Sequence, residues 1–243
     1  MPNLYQGHDE DGWIWSGIQS SWAAARDITS GGTPNANNSA TGFPVASSRF
    51  GGRGGGNTYR VVRSFMWFDT SGITGAVSAA TIKLYGYNQN NGSIIAVKST
   101  AFGGDTGDSL VAGDIDAITG WTTGASAAGN VTNYSSQITS GWNASGYNDL
   151  TGTSDLRSDM QNNNYVIICF MDYTYDYLNS APTANQTKAV GFYWNEQTST
   201  SKDPYIEYTV ATGYGNAVKG VAAANISKVN GIATASISKV NGI

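Results

Sequence analysis

The sequence predicts an all-β protein, an antiparallel β-sandwich of the jelly-roll type, followed by a short β-structured C-terminal repeat tail. Three observations predict this fold. Segments rich in β-branched and aromatic residues alternate with clusters of Gly, Asn, Ser and Asp, as short strands joined by turns do. No long segment has the i, i+3, i+4, i+7 spacing of an amphipathic helix. Charged residues make up only 12% of the chain, about half the usual share in soluble domains, while Gly (31) and Tyr (14) are abundant.

The predicted elements can be placed in order. The best helix candidate is short, SSWAAARDI at 20–28. The strongest strand signal is TYRVVRSFMWFDT at 58–70. Its second half has apolar residues at both odd and even positions, as a central strand does. ATIKLYGY and SIIAVKS then flank NQNNG, where Asn91-Gly92 favours a tight turn with positive φ, so we predict a hairpin there. The other predicted strands cover 164–178, 189–194 and 204–210.

These strands form one pattern, so we predict one sandwich domain over 1–210. TSGGTPNANNSATG and RFGGRGGGN are predicted to be long loops within it. GDTGDSLVAGDIDAITGW is predicted to be another loop, with a short helical turn near DIDAI. ATGYG then loosens the chain, and 211–243 form a separate repeat tail.

Composition and charge argue against several function classes. A net charge of -4 leaves no basic surface for phosphates, so we expect no nucleic-acid partner. No apolar run approaches the roughly 20 residues of a membrane span, so we expect no membrane partner. The only cysteine, Cys169, lies in the apolar segment YVIICFMDY and is predicted to be a core residue. The first residues have no basic and no apolar region of the signal-peptide kind.

Residues across the second and third predicted elements resemble a known family. The pattern R-s-f-l-x-F-D-x-S followed by A-x-L-x-L-y is matched at Arg63, Ser64, Phe65, Phe68, Asp69, Ser71, Ala80, Ile82, Leu84 and Tyr85. KDPYIEYTV is similar to the closing strand of the same domains. Over most of residues 10–210 the chain therefore resembles the DNRLRE-type, carbohydrate-binding-module-like jelly rolls. This resemblance implies a non-catalytic module that binds polysaccharide or builds a surface assembly.

A second resemblance suggests where such a module acts. DYTYDYLNSAPT and the KVNGIA tail resemble segments of tailed-phage virion proteins. Our first hypothesis is therefore a non-enzymatic structural protein of a phage particle: a capsid decoration, head fibre or tail-associated protein. It would assemble in the host cytoplasm, act outside the cell and contact other virion proteins, with surface glycans as further candidate partners. The alternative is a secreted carbohydrate-binding module of a polysaccharide-active protein.

Aromatic side chains are the candidate sugar-binding residues. If MDYTYDYL is a strand, its strict alternation places Tyr173, Tyr175 and Tyr177 on one face, where tyrosines can stack on sugar rings. The same rings could instead fill the core or a subunit interface, where tyrosine is also common. Trp194 is a further sugar-binding candidate. The same choice applies to Trp13, Trp15, Trp22 and Trp142.

Four aspartates in one loop are the candidate metal ligands: Asp105, Asp108, Asp114 and Asp116. Ca²⁺ takes six to eight oxygen ligands, which an Asp- and Gly-rich loop can supply. The spacing does not fit an EF-hand, and acidic loops are often merely solvated, so calcium is the one candidate cofactor and none is required. The only histidine, His8, has no recognisable serine or cysteine partner motif, and the sequence predicts no enzyme.

The tail repeats with an eleven-residue period, beginning at Ala217, Lys228 and Lys239. Asn-Gly between β-branched residues favours strand–turn–strand, so ISKV-NG-IATA is predicted to be a hairpin. A ribbon this small is marginally stable alone, and its apolar residues need a partner. We expect them to drive assembly, either as a homo-oligomeric stalk, most simply a trimer, or by adding a strand to another particle protein. The predicted assembly residues are Val229, Ile232, Ile237, Val240 and Ile243.

Overall fold

The computed structural model describes the chain in several ranges: 1–7, 11–36, 43–51, 56–104, 108–195, 200–211, 228–229 and 232–233. The all-β, sandwich-like prediction is confirmed, because eleven strands form one antiparallel sheet and the helices are few and short. The strands of this sheet are β1 (Asn3–Tyr5), β2 (Gly12–Trp15), β3 (Thr33–Ala36), β4 (Val45–Gly51), β5 (Asn57–Asp69), β6 (Val77–Asn90), β7 (Ile95–Lys98), β8 (Tyr147–Thr151), β9 (Tyr165–Met171), β10 (Gln186–Phe192) and β11 (Tyr205–Val210).

The helical elements are short. Among the described residues they comprise the helices α1 (Trp22–Arg26) and α2 (Ser154–Asn162), 3₁₀ turns at Phe102–Gly104, Ala112–Asp116 and Thr200–Lys202, and a π-helical turn at Tyr173–Tyr177. Helix α1 and the turn at Ala112–Asp116 lie where the sequence predicts them. Helix α2 was not predicted, although Thr153 caps its N-terminus and Leu156 and Met160 bury its inner face.

The strands run in the order β1-β11-β6-β10-β4-β5-β2-β3, with β8 paired to β6, β9 paired to β5, and β7 paired to β9. Two long strands organise this sheet. Strand β5 pairs with β4 along its first half and with β9 along its second half. Strand β6 pairs with β11 along its first half, with β8 along its middle and with β10 near its end. The sheet therefore folds over on itself.

The main core lies inside this fold. It buries Met66 of β5, Ile82 of β6, Ile168 of β9, Phe192 of β10 and Ile206 of β11, all fully inaccessible to solvent. These strands are not all neighbours in the sheet, so the shared core holds its folded halves together by apolar burial.

A second core covers the opposite face of β5 and β9. Phe65 and Cys169 are fully buried there against Phe102 and Ile115, which belong to the long connection between β7 and β8. This explains the apolar run at both parities of β5, since neighbouring residues face different cores. Cys169 is a buried core residue, as predicted.

The loop predicted over TSGGTPNANNSATG contains strand β3, which pairs with β2. Two strand predictions are also wrong. The hairpin around Asn91-Gly92 does not form, because β6 pairs with β10, β11 and β8, while β7 crosses to β9. Asn91 nevertheless has the predicted left-handed backbone, with φ 45°. The strand predicted over 164–178 ends at Met171. The Asp172 side chain accepts a hydrogen bond from the Thr174 N–H and starts the π-helical turn instead.

The tail contains the predicted strand pairing. Strands β12 (Lys228–Val229) and β13 (Ile232–Ala233) pair antiparallel, with Val229 opposite Ile232 and Lys228 opposite Ala233. This is the register expected for strands on either side of the Asn230-Gly231 step. Strand β11, the last strand of the eleven-stranded sheet, ends at Val210.

Candidate functional site

An aromatic-lined groove opens on the face formed by β2, β4, β5 and β10. Its volume is about 560 Å³. We call it the Trp groove; its lining residues are Trp13, Trp15, Phe43, Ala46, Ser48, Arg60, Val62, Asn90 and Thr187. Small-molecule sites are typically pockets of this size, with apolar and aromatic walls and a few polar groups.

Strand register builds the floor of the Trp groove. Residues directly opposite each other in antiparallel strands share a face, so small side chains line up across the sheet. One row contains Trp15, Val62, Ala46 and Ala189, and the next contains Arg60, Ser48 and Thr187. Trp13 and Trp15, two residues apart on β2, project to the same side. The result is a shallow floor flanked by two half-buried indole rings.

Arg60 supplies the charge of the Trp groove and is its only charged lining residue within the described chain. Its guanidinium lies 4.8 Å from the Trp15 ring centre and 5.6 Å from that of Phe50, within cation–π range. The Arg60 Nε atom is buried and has no hydrogen-bond partner in the described structure. The groove therefore combines apolar ring surfaces with a cation whose Nε–H is not satisfied by described residues.

Hydroxyl and amide groups complete the polar lining. The Ser48 hydroxyl donates to the Thr187 Oγ1 at 3.1 Å, which joins β4 to β10 at the floor. Asn90, at the exposed end of β6, adds an amide that can both donate and accept. The arrangement can thus stack flat ligand faces and hydrogen-bond their hydroxyl groups.

A second aromatic surface, the tyrosine row, crosses the outer face of β1, β11, β8 and β6. Successive ring centres lie 5.0 to 5.8 Å apart along Tyr5, Tyr205, Tyr147, Tyr85, Tyr193 and Tyr87. Most neighbouring rings meet edge to face, and Lys202 Nζ lies 4.4 Å from the Tyr193 ring centre. Such rings pack mainly on one another, so we assign the row to stabilisation of the sheet face.

The sequence prediction that Tyr173, Tyr175 and Tyr177 share one face of a strand is wrong. The three residues lie in the π-helical turn, so they do not alternate along a strand. Tyr177 is buried, stacks on Tyr173 at 5.3 Å and exchanges hydrogen bonds with Asn133. Tyr175 is half-buried, and its hydroxyl accepts a hydrogen bond from Gln186. These rings serve packing, the alternative that the sequence analysis left open.

The prediction that Trp194 binds sugar is also contradicted. Its side chain is fully buried in the main core, 5.3 Å from the Phe192 ring centre, and has no surface to offer a ligand. The sequence does not single out Arg60 as a binding residue. It does contain a signal for the two tryptophans: in Trp13-Ile14-Trp15 the spacing of two residues places both indoles on one face of a strand.

The candidate calcium ligands are not gathered into a site by the described structure. Asp114 is buried, and its Oδ2 accepts hydrogen bonds from the Val111 and Phe102 N–H groups at 3.0 and 3.4 Å. Burial raises the pKa of Asp114, which disfavours its charged form. Asp105 lies outside the described residues. Among those described, no group of three or more His, Cys, Asp or Glu side chains could hold a metal, so Asp108, Asp114 and Asp116 do not form one.

Of the predicted assembly residues, Val229 and Ile232 pair with each other across β12 and β13. Ile237, Val240 and Ile243 lie outside the described residues, as does His8. In the part of the chain that is described, no helix is long and apolar enough to cross a bilayer.

Asp172 is the one described carboxylic acid whose pKa is raised to about 6. The cause is burial, reinforced by the charge of Asp176 and partly offset by the Ser93 hydroxyl, which donates to Asp172 Oδ1 at 2.5 Å. Since the group is buried, we assign it to the support of the π-helical turn and not to ligand contact.

Comparison with known proteins adds no family to this geometry: no protein-family model and no curated protein matches the chain.

Proposed function

We propose that this chain is a non-enzymatic adhesion and assembly protein whose sandwich domain binds glycans in the Trp groove. The observation that carries the proposal is a groove with a floor of small side chains, lined by two indole rings and by the Arg60 cation, which lies over the Trp15 ring. Pyranose rings present apolar C–H faces and a rim of hydroxyl groups. Indole faces suit the former, and Ser48, Thr187 and Asn90 suit the latter.

Arg60 favours acidic sugars within this proposal. A guanidinium binds a carboxylate through two parallel hydrogen bonds, and such charge-assisted bonds are stronger than neutral ones. No acidic side chain lines the described part of the groove to neutralise it. We therefore expect a uronate-containing polysaccharide to bind more tightly than a neutral one of similar length.

Affinity electrophoresis in native gels tests this directly. Polygalacturonate in the gel should retard the wild-type protein, while neutral xylan should retard it less. Arg60→Met should abolish the preference for polygalacturonate. Arg49→Met is the matched control, because Arg49 lies on the neighbouring strand β4 but does not line the groove; its guanidinium donates to the Thr183 carbonyl. Equal migration of all three proteins in both gels would reject the proposal.

The tail supports the assembly part of the proposal. Antiparallel pairing of Val229 with Ile232 makes a two-stranded ribbon with β-branched residues on it, and isolated ribbons of this kind are marginal in water. Burial against other copies, most simply in a trimer, or against another particle protein would stabilise it. Together with the resemblance to tailed-phage proteins, this makes a virion surface the proposed location.

Deletion of 212–243 separates this location from the alternative. A virion protein assembled through its tail should change its mass by light scattering, from an oligomer to a monomer. A secreted carbohydrate-binding module, the second candidate, should remain monomeric with and without the tail and should keep its retardation by polysaccharide. The Trp groove favours both candidates equally, so the oligomeric state decides between them.

A further inference from the structure

A second cavity lies at the opposite end of β9 from the π-helical turn and is lined by polar groups. It measures about 420 Å³ and lies where the C-terminal end of α2, the start of β9 and the end of β7 meet. Strand β7 stops pairing with β9 at Lys98, and the chain turns away at Thr100, where its N–H donates to the Ala117 carbonyl. The departure of β7 leaves the space that forms this polar cavity.

A hydrogen-bonded network holds one wall of the polar cavity in place. Lys98 Nζ lies 2.9 Å from Asp159 Oδ2, which also accepts a hydrogen bond from the Tyr134 hydroxyl at 2.5 Å. Asp159 Oδ1 accepts a hydrogen bond from the Asn163 amide at 3.1 Å. Burial alone would raise the pKa of Asp159, but the hydrogen bonds from Lys98 and Tyr134 outweigh it and lower the pKa. Asp159 therefore stays charged and fixes the Lys98 ammonium at the cavity.

The polar cavity is lined by a donor-only ammonium group and by groups that can both donate and accept hydrogen bonds. An ammonium group has three N–H donors, and the ion pair with Asp159 uses one of those of Lys98, whose side chain is 33% exposed. The Asn164 amide and the Thr100 hydroxyl line the same cavity and are exposed. Tyr165, whose hydroxyl donates to the Gly104 carbonyl, adds a half-buried aromatic ring.

This chemistry distinguishes between ligand classes. An apolar ligand would leave the ammonium and amide groups without hydrogen bonds, which is costly. An anion would meet a lysine whose charge Asp159 already balances. A polyhydroxylated ring suits the cavity, because a hydroxyl group can accept a hydrogen bond from Lys98. Other hydroxyl groups of the ring can donate hydrogen bonds to Asn164 or Thr100 and accept hydrogen bonds from them.

We infer that the polar cavity is a second carbohydrate site that takes a single neutral hexopyranose, with Lys98, Thr100 and Asn164 as its hydrogen-bonding residues. The Trp groove and this cavity are lined by entirely different residues. The two sites would let one domain hold two points of a glycan surface and bind it with avidity.

An NMR titration of the ¹⁵N-labelled full chain tests the inference. D-glucose, D-galactose, D-mannose and N-acetyl-D-glucosamine are added separately, up to about 100 mM, because single sugars bind weakly. At least one should shift the Asn164 side-chain amide and the Tyr165 main-chain amide in a saturable way. Lys98→Met and Asn164→Ala should each weaken this binding by about tenfold, the loss expected for a hydrogen bond involving a charged or well-placed group.

Lys188→Met is the matched control, since Lys188 lies on β10 and lines neither cavity. It should show the same saturable shifts at these two amides as the wild type, and so should Trp13→Ala, because Trp13 does not line the polar cavity. Three results would overturn the inference. None of the four sugars shifts these amides saturably, or Lys98→Met and Asn164→Ala both keep wild-type affinity, or Trp13→Ala abolishes the shifts, which would place the sugar in the Trp groove.

Discussion

Arg63 and Asp176 form a bidentate ion pair in which both side chains are completely buried. The Nε and Nη2 atoms of Arg63 each lie 2.7 Å from a carboxylate oxygen of Asp176. Arg63 also donates to the main-chain carbonyls of Ile115 and Arg26, at 2.6 and 2.8 Å. The Trp121 ring centre lies 4.2 Å from the guanidinium carbon of Arg63 and also 4.2 Å from that of Arg26. This pair ties β5 to helix α1, to the long connection after β7 and to the π-helical turn.

Asp176→Asn should destabilise the protein strongly, because Arg63 would remain buried with an unmatched charge. Removal of one partner of a buried pair typically costs about 3–5 kcal/mol in the free energy of unfolding. Urea denaturation followed by circular dichroism measures the loss. Asp149→Asn is the control: it removes the nearer of two carboxylate partners of Lys83, but Asp149 is 56% exposed, and surface pairs contribute about 1 kcal/mol or less. Equal losses in the two variants would contradict the structural role of the buried pair.

Asp172 makes stability depend on pH. Its pKa rises from 3.8 to about 6 on folding, so the folded state binds the proton more tightly than the unfolded chain does. The stabilisation from this proton is fully present below pH 4 and is lost as the pH rises through 6. Asp172→Asn should therefore be more stable than the wild type at pH 7.5, by on the order of 3 kcal/mol, and this gap should shrink towards pH 4. A gap that is constant with pH would show that Asp172 does not titrate in this range.

Trp194→Ala should reduce stability and leave glycan binding intact. The indole is fully buried in the main core, and truncation of a buried Trp costs about 3–5 kcal/mol. The folded fraction should still bind polygalacturonate as the wild type does, because Trp194 lies outside the Trp groove. Thermal unfolding and affinity electrophoresis on the same sample measure both effects. Loss of binding in a fully folded variant would restore Trp194 as a binding residue.

Gly92→Ala should be destabilising for a purely steric reason. A Cβ atom at Gly92 would lie 2.3 Å from the carbonyl carbon of Ala189, closer than any real contact allows. Overpacking against main chain costs about 1–3 kcal/mol. Gly72→Ala is the control, since a Cβ there meets nothing within 4 Å and its φ is ordinary. Thermal melts of the two variants should differ by several degrees, and identical melts would refute the tight packing.

Much of the sandwich could be predicted from the sequence, because its strong strands carry their own signal. The apolar residues of β5 at both parities correctly indicated burial on both faces. The hairpin prediction at Asn91-Gly92 was wrong because a turn signal predicts only the local backbone. It correctly indicated the left-handed conformation of Asn91, but it does not determine which strand β7 pairs with. That choice depends on burial of Val97 and Cys169 in one core, a long-range effect.

The candidate site was less predictable. MDYTYDYL alternates like a strand, yet Asp172 caps a turn and Asp176 binds Arg63, two contacts that local pattern does not reveal. The spacing of two residues between Trp13 and Trp15 predicts that both side chains lie on one face of a strand. The position of Arg60 beside Trp15 could not be predicted, because it depends on the register of β4, β5 and β2.

Isothermal titration calorimetry with trigalacturonate tests the central claim, glycan binding in the Trp groove, most directly. The wild type and Tyr85→Ala, a change in the tyrosine row, should bind with equal affinity. Trp13→Ala should weaken binding by about tenfold or more, as loss of a central aromatic anchor does. Circular dichroism would confirm that each variant is folded. Wild-type affinity in folded Trp13→Ala and Arg60→Met would contradict the account.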